Sequence, residues 1–472
     1  MSKQAAQNTT NQITEGVIWK QLLIFFFPIL FGTFFQQLYN TADAIIVGNF
    51  VGKEALASVG GSASTIINLL VGFFVGLSSG ATVIISQYYG ADNRRRVSDS
   101  VHTAIALAIA GGIVIMLLGL VSARFALTAM GTPDDILSLS LTYMKIYYLG
   151  TIPSMIYNMG SGILRAVGDS KRPLYFLIVS CLVNIVLDLL FVAVLGMGVA
   201  GAAIATIASQ FFSAILTLIA LLRTQDSYRL IVSKIRFHRD LLFDIIKIGL
   251  PAGLQSAMYS ISNLLIQSSI NSFGSTVVAG SAAAGNIENF VYQAMNAFYQ
   301  TNLTFTGQNY GAGECRRVDK TLLYCQGFVI VTGLLLGNLV YYFGHPLVSI
   351  YAPGEEDVIR QGIIRLGYVA RPYALCGIMD TMVGSLRGLG YSIGPMIVSL
   401  IGACGLRVVW IFTIFQMYRT PENLYISYPI SWIVTGAVHI LFFLYARKKA
   451  FALVRADSRK ETEGEHPVTE EQ

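Results

Sequence analysis

Four side chains in this chain have the types and spacing to handle a small cation. Asp43 stands in LYNTADAIIVGNF, residues 38–50, just after the almost wholly apolar LLIFFFPILFGTFF of residues 22–35. Asn184 and Asp188 stand in CLVNIVLDLLF, and Thr206 in GAAIATIAS. Asn184 and Asp188 are four residues apart, which puts both on one face of a helix. Two carboxylates, an amide oxygen and a hydroxyl are hard oxygen donors that suit Na⁺. They suit a shared proton equally, because burial and crowding disfavour the charged form of a carboxylate. Ionisable groups at membrane depth are costly and generally face a protein interior or a water-filled cavity. The plainer alternative is that the two acids only bond to neighbouring helix ends.

The elements that must position these groups are membrane helices. The chain has 472 residues, 54% hydrophobic and 12% charged, where a soluble domain carries about a quarter charged residues. It offers about twelve apolar segments of the roughly 20 residues that cross a bilayer. The expectation is an all-α polytopic membrane protein with twelve transmembrane helices and short surface connections. The polar start, MSKQAAQNTTNQITEG, has no signal-peptide pattern. When the connections are numbered alternately, most of the 32 lysines and arginines fall on one side, among them Arg94, Arg95, Arg96, Arg165, Arg316, Arg317 and Arg387. That side is expected to be cytoplasmic, with both termini on it. The net charge of +6 is thus a topology signal, and no nucleic-acid partner is expected. The five cysteines have no metal-ligand spacing and read as packing residues. The expected surroundings are a lipid bilayer, and the expected state is a monomer.

The chain also reads as a duplication. SQYYGADNRRRV, residues 86–97, matches GQNYGAGECRRV, residues 307–318; SGILRAVGDSKRP, ending at Pro173, matches GSLRGLGYSIGP, ending at Pro395; and Pro28 matches Pro251. The three ordered matches share nearly one offset, which implies six helices used twice. The predicted division is an N-terminal lobe over 1–232, a C-terminal lobe over 233–450 and a disordered cytoplasmic tail over 451–472. An even number of helices per repeat gives both lobes the same orientation, with a cavity between them.

These residues resemble the multidrug and toxic compound extrusion (MATE) family. The likeness covers about residues 15–450. It is carried by Pro28 with Asp43, the paired QxYGA…RRV loops, the LRxxGxxxxP segments and NIVLD in the fifth helix. It implies a V-shaped pair of six-helix bundles that expels organic cations or drugs against a proton or sodium gradient, in the inner (plasma) membrane of a bacterium. It implies the same cation-binding set, Asp43, Asn184, Asp188 and Thr206, with Tyr39, Tyr143 and Asn158 in support. The N-terminal lobe looks nearest the DinF-like branch. The seventh helix carries QSAMYSISN after Pro251, without the acid of the NorM-like branch.

The second lobe is not a copy of the first. The position matching Asp43, near Ile266, is uncharged, and Arg407 aligns near Asn184. A buried arginine needs an acidic partner, so Arg407 is expected to form a structural ion pair with Glu288 or Asp380. The substrate, a cationic or amphipathic small molecule, is expected in a cavity lined by Gln36, Gln37, Glu288, Tyr292 and Asp380. Pro28 and Pro251 are candidate hinges, since a mid-helix proline frees a carbonyl and permits a kink. No cofactor is expected beyond a coupling H⁺ or Na⁺. GNFVGKE, residues 48–54, is one residue short of a phosphate loop, so ATP drive is not expected. The competing functions are a lipid-linked sugar flippase of a related fold, an intramembrane aspartyl enzyme and a passive channel.

Overall fold

A computed structural model describes residues 12–464. After a short helical turn at Gln12–Glu15, the chain folds into twelve helical rods. In the first half these are α1 (Ile18–Phe50), α2 (Lys53–Gly60 and Ser62–Gly90), α3 (Arg94–Ala129), α4 (Asp134–Leu149 and Thr151–Ala166), α5 (Lys171–Val194) and α6 (Gly198–Arg223). The second half repeats the order with α7 (Arg239–Asn271), α8 (Ser275–Gly311), α9 (Cys315–Tyr342) and α10 (Glu356–Arg365, Leu366–Ala370 and Tyr373–Gly388). It ends with α11 (Ile393–Met417) and α12 (Pro421–Tyr425 and Ser427–Gly464). Nine rods among the described residues have the length and apolarity to cross a membrane by themselves. The other three, α4, α8 and α10, bury much of their surface against protein and carry polar residues there.

The duplication is visible in the backbone. Helices α5 and α11 begin at Lys171 and Ile393, each two residues before its proline. The glycines that end the preceding helices, Gly168 and Gly390, share a left-handed φ of 93° and 92°. Only glycine adopts that conformation without strain, so each LRxxG segment is a helix stop of fixed shape.

The packing does not follow the division at residue 232. The first half of α1 (Ile18, Leu22, Phe25, Phe26, Ile29) belongs to the core of the second lobe, where the Phe26 ring stacks on Phe298 at 3.9 Å. Its second half (Asp43, Ile46, Val47) is buried in the first lobe. Helix α7 mirrors this: Leu241, Ile245 and Ile248 pack in the first lobe, and Ile266 and Ile270 in the second. Each lobe therefore lends the other half a helix, and Pro28 and Pro251 lie within the lent halves. Both helices run unbroken through their prolines.

Glycines let the lent half of α7 meet α2. A methyl group on Gly76 of α2 would come within 2.7 Å of the Ala252 carbonyl carbon of α7, and one on Gly249 within 3.0 Å of Leu77 Cα. The two backbones are in contact along this stretch, as small residues allow between membrane helices. The connection between the lobes is held down as well. The Ile231 amide donates to His102 Nε2 at 2.9 Å, and His238 lies against Thr103 and Asp99. The tail expectation needs correction. Helix α12 continues to Gly464, so residues 451–464 are helical, as a stretch rich in Ala, Arg, Lys and Glu favours. Residues 465–472 lie outside the described residues.

Replacing Gly76 with leucine is expected to force α2 off α7 and destabilise the detergent-purified protein by on the order of 1–3 kcal/mol, read as a lower unfolding temperature. Gly327, whose Cβ position is open, is the control, and its change to alanine should leave that temperature equal or higher.

Candidate functional site

The second half of α1 brings Asp43 into the first lobe, where α5 and α6 supply Asn184, Asp188 and Thr206. All four are buried: Asp43 is 7% exposed, Thr206 3%, and Asn184 and Asp188 0%. Asp188 is the last α-helical residue of α5 and is followed by a π-helical stretch, Leu189–Val194. Such widened turns are frequent at functional sites. Asp188 lies within electrostatic range of Asp43 and close to the Asn184 amide. Yet Asp43 Oδ1, both carboxylate oxygens of Asp188 and both polar atoms of Asn184 are buried with no hydrogen bond of normal geometry. The Thr206 hydroxyl donates to its own helix at Ala202 O, 3.0 Å, which leaves its oxygen free to accept. Tyr39 and Tyr143 border the cluster, each near both Asp43 and Thr206. Tyr147 stacks on Tyr143 with ring centres 6.5 Å apart. It is a neighbour that sequence reading missed, although its four-residue spacing from Tyr143 is the signal. Asn158 takes no part in this cluster; its amide donates to Ser154 O on its own helix at 2.8 Å.

The second lobe has a different chemistry. Glu288 of α8 accepts two hydrogen bonds from Arg365 of α10, at 3.1 and 3.0 Å, and Arg365 also donates to Ser281 at 2.7 Å. This corrects two expectations. Glu288 is sealed in an ion pair and does not line the cavity, and its partner is Arg365, not Arg407. Arg407 donates to Ser431 at 2.8 Å and lies 4.3 Å from the Tyr428 ring centre and 5.8 Å from that of Trp432. Aromatic faces and a hydroxyl meet its charge, and it enters no ion pair among the described residues. The physical reason is register. A π-helical stretch, Leu400–Gly405, immediately precedes Arg407, and each residue gained there rotates the next turn of helix by about 100°. Arg365 lies in an apolar stretch, where its charge was the overlooked signal.

The cavity between the lobes is lined from both sides and has a volume of about 120 Å³. Tyr292 and Asp380 are on its wall, with Tyr259 and Tyr299; Gln36 and Gln37 are not. Gln36 is exposed on α1, and Gln37 accepts a hydrogen bond from Asn289 of α8 at 3.2 Å. Two arginines also line the cavity, Arg165 and Arg387.

At the arginine-rich end the lobes are tied by a reciprocal pair of bonds. Gln87 Nε2 of α2 donates to Gly388 O of α10 at 2.8 Å, and Gln308 Nε2 of α8 donates to Ala166 O of α4 at 2.6 Å. The two glutamines are the matching residues of the QxYGA loops, and the two carbonyls come directly after the Leu-Arg of the matching LRxxG segments. The two most specific sequence repeats are therefore each other's binding partners across the lobes.

Comparison with known proteins finds the same duplication. The MatE family description matches twice, over residues 28–190 and 251–413. The chain is 29% identical over 442 residues to the probable multidrug resistance protein YpnP of Bacillus subtilis (strain 168), covering 93% of this chain and 98% of that one. It is 25% identical over 456 residues to the probable multidrug resistance protein NorM of Thermotoga maritima, covering 94% and 96%. Among solved structures, an outward-facing MATE transporter of the MOP superfamily superposes with a TM-score of 0.86 at 24% identity, over 94% of this chain and 98% of that one.

Removing one partner of the buried Glu288–Arg365 pair strands the other. Arg365→Met is expected to cost about 3–5 kcal/mol, and Glu288→Leu combined with Arg365→Met to recover most of the loss. Unfolding temperatures of the two single variants and the double variant measure this.

Proposed function

The chain belongs to the MatE family of multidrug transporters, and on that premise we propose a secondary antiporter that exports small amphipathic molecules, organic cations among them, in exchange for H⁺ or Na⁺. The multi-pass membrane architecture and the transporter family set aside the enzyme reading. The coupling ion is assigned to Asp43, Asn184, Asp188 and Thr206. The observation that carries the assignment is the group of four buried oxygens on Asp43, Asn184 and Asp188 that have no hydrogen bond of normal geometry. Buried oxygens left without a hydrogen bond are costly, and a carboxylate pair repels itself. A proton or a sodium ion removes both costs. The donor set fits either ion: oxygens alone, two of them from carboxylates, with Tyr39 and Tyr143 alongside.

Alternating access is the proposed mode. The close α2–α7 contact and the two glutamine ties lie on the half of the molecule nearer the arginine-rich face. By the positive-inside rule that face is cytoplasmic, so this conformation is closed inside. Loading the cluster on the far half of α1 changes the charge on one side of the same helix whose first half is lent to the other lobe. Bending at Pro28 is the proposed route from ion binding to lobe movement, and Pro251 offers α7 the same freedom.

In proteoliposomes an imposed H⁺ or Na⁺ gradient is expected to drive ethidium efflux by the wild type, with Asp43→Asn and Asp188→Asn each lowering the coupled rate at least about tenfold. Absence of gradient-driven flux in the wild type refutes antiport. The gate has a separate test. Gln87→Ala with Gln308→Ala should raise labelling of a Ser79→Cys probe by an impermeant maleimide applied from the cytoplasmic face. Unchanged labelling would remove the glutamines from the gate.

A further inference from the structure

We propose that Arg165 and Arg387 form an anion site at the inner end of the inter-lobe cavity, which holds the phosphate or carboxylate head of an aromatic amphiphile. The inference rests on the export reading for its use in transport, but not for binding itself.

The two arginines occupy matching places in the repeats, Leu164-Arg165 and Leu386-Arg387. Each sits beside a carbonyl clamped by a glutamine of the opposite lobe, at Ala166 or Gly388. The clamps hold the ends of α4 and α10 with both arginines on the cavity wall, one from each lobe. Arg387 is 5% exposed and set in a network. It donates to Gln255 Oε1 at 2.8 Å and to the Tyr299 hydroxyl at 2.6 Å. Gln255 in turn donates to Ser399 at 3.1 Å, and Ser399 contacts His439. Arg387 Nε is buried without a partner.

Charge decides what this place suits. Of the other buried arginines in the second lobe, Arg365 has the Glu288 carboxylate and Arg407 has the Ser431 hydroxyl with the Tyr428 and Trp432 rings. Neither Arg165 nor Arg387 is ion-paired among the described residues. The cavity wall carries these two cations and a single acid, Asp380. Guanidinium forks match the planar or tetrahedral oxygens of carboxylate and phosphate. Tyr259, Tyr292 and Tyr299 offer ring faces to the aromatic remainder. A soluble organic anion and an anionic lipid head group share this chemistry.

The test uses the full-length protein in nanodiscs with two fluorescent probes, anionic fluorescein and cationic ethidium, tracked by anisotropy. Wild type is expected to bind fluorescein. Arg165→Gln and Arg387→Gln should each weaken that binding about tenfold, while ethidium binds more tightly because a repelling charge is gone. Arg165→Lys should restore most of the fluorescein affinity. In discs of phosphatidylcholine alone and discs containing phosphatidylglycerol, equal fluorescein affinity marks a soluble anion as occupant. Displacement by phosphatidylglycerol that disappears in Arg165→Gln marks a lipid head group; either result supports the site. Equal fluorescein binding by wild type and Arg165→Gln, no fluorescein binding by wild type in either disc, or parallel loss of both probes in Arg165→Gln overturns it. Binding needs no gradient, so failure of ethidium antiport leaves this result separately readable.

Discussion

Helices α2 and α7 come from different lobes and touch backbone to backbone, with Gly76 against Ala252 and Gly249 against Leu77. Nothing but hydrogen fits at those positions. The contact seats the lent half of α7 in the first lobe and so ties the two halves of the chain together near the ends of α2 and α8. There Gln87 and Gln308 reach across to Gly388 and Ala166. The same approach sets the walls of the cavity, because α2 and α7 form two of its sides. Without it the cavity would lose two of its sides.

The two lobes share a plan but divide the chemistry. The first lobe buries two carboxylates, and Asp43 Oδ1 and both oxygens of Asp188 have no hydrogen bond of normal geometry. The second buries a carboxylate that an arginine fully engages, and it places Ile266 where the first lobe has Asp43. In the second lobe the acid left without an ion pair on the cavity wall is Asp380. The membrane sharpens the difference, since a buried charge without its counter-charge is far costlier there than at a wet surface.

Much of this was legible in the sequence because the residues concerned break a strong background. Asp43, Asn184 and Asp188 stand out in apolar helices, and the QxYGA and LRxxG pairs stand out by repetition. What stayed hidden was direction. Arg165 and Arg387 lie near helix ends, where a sequence cannot tell an arginine that faces lipid head groups from one turned into a cavity. The partner of Glu288 was hidden too. Arg365 is 77 residues away, and π-helical stretches in α10 and α11 shift the register on which an alignment of the repeats depends. The lending of half-helices was invisible for a related reason, since Phe25 and Phe26 are equally apolar in either lobe.

That loan also fixes an order of events during synthesis. Phe26 is made early, but the ring it stacks on, Phe298, lies in α8. At about 5–20 residues per second, the front half of α1 waits on the order of a quarter to a full minute for its resting place. Through that interval lipid or the insertion machinery must shelter an unfinished interface. The first six helices are therefore an intermediate by construction, complete in sequence but lacking the half of α7 that closes their core.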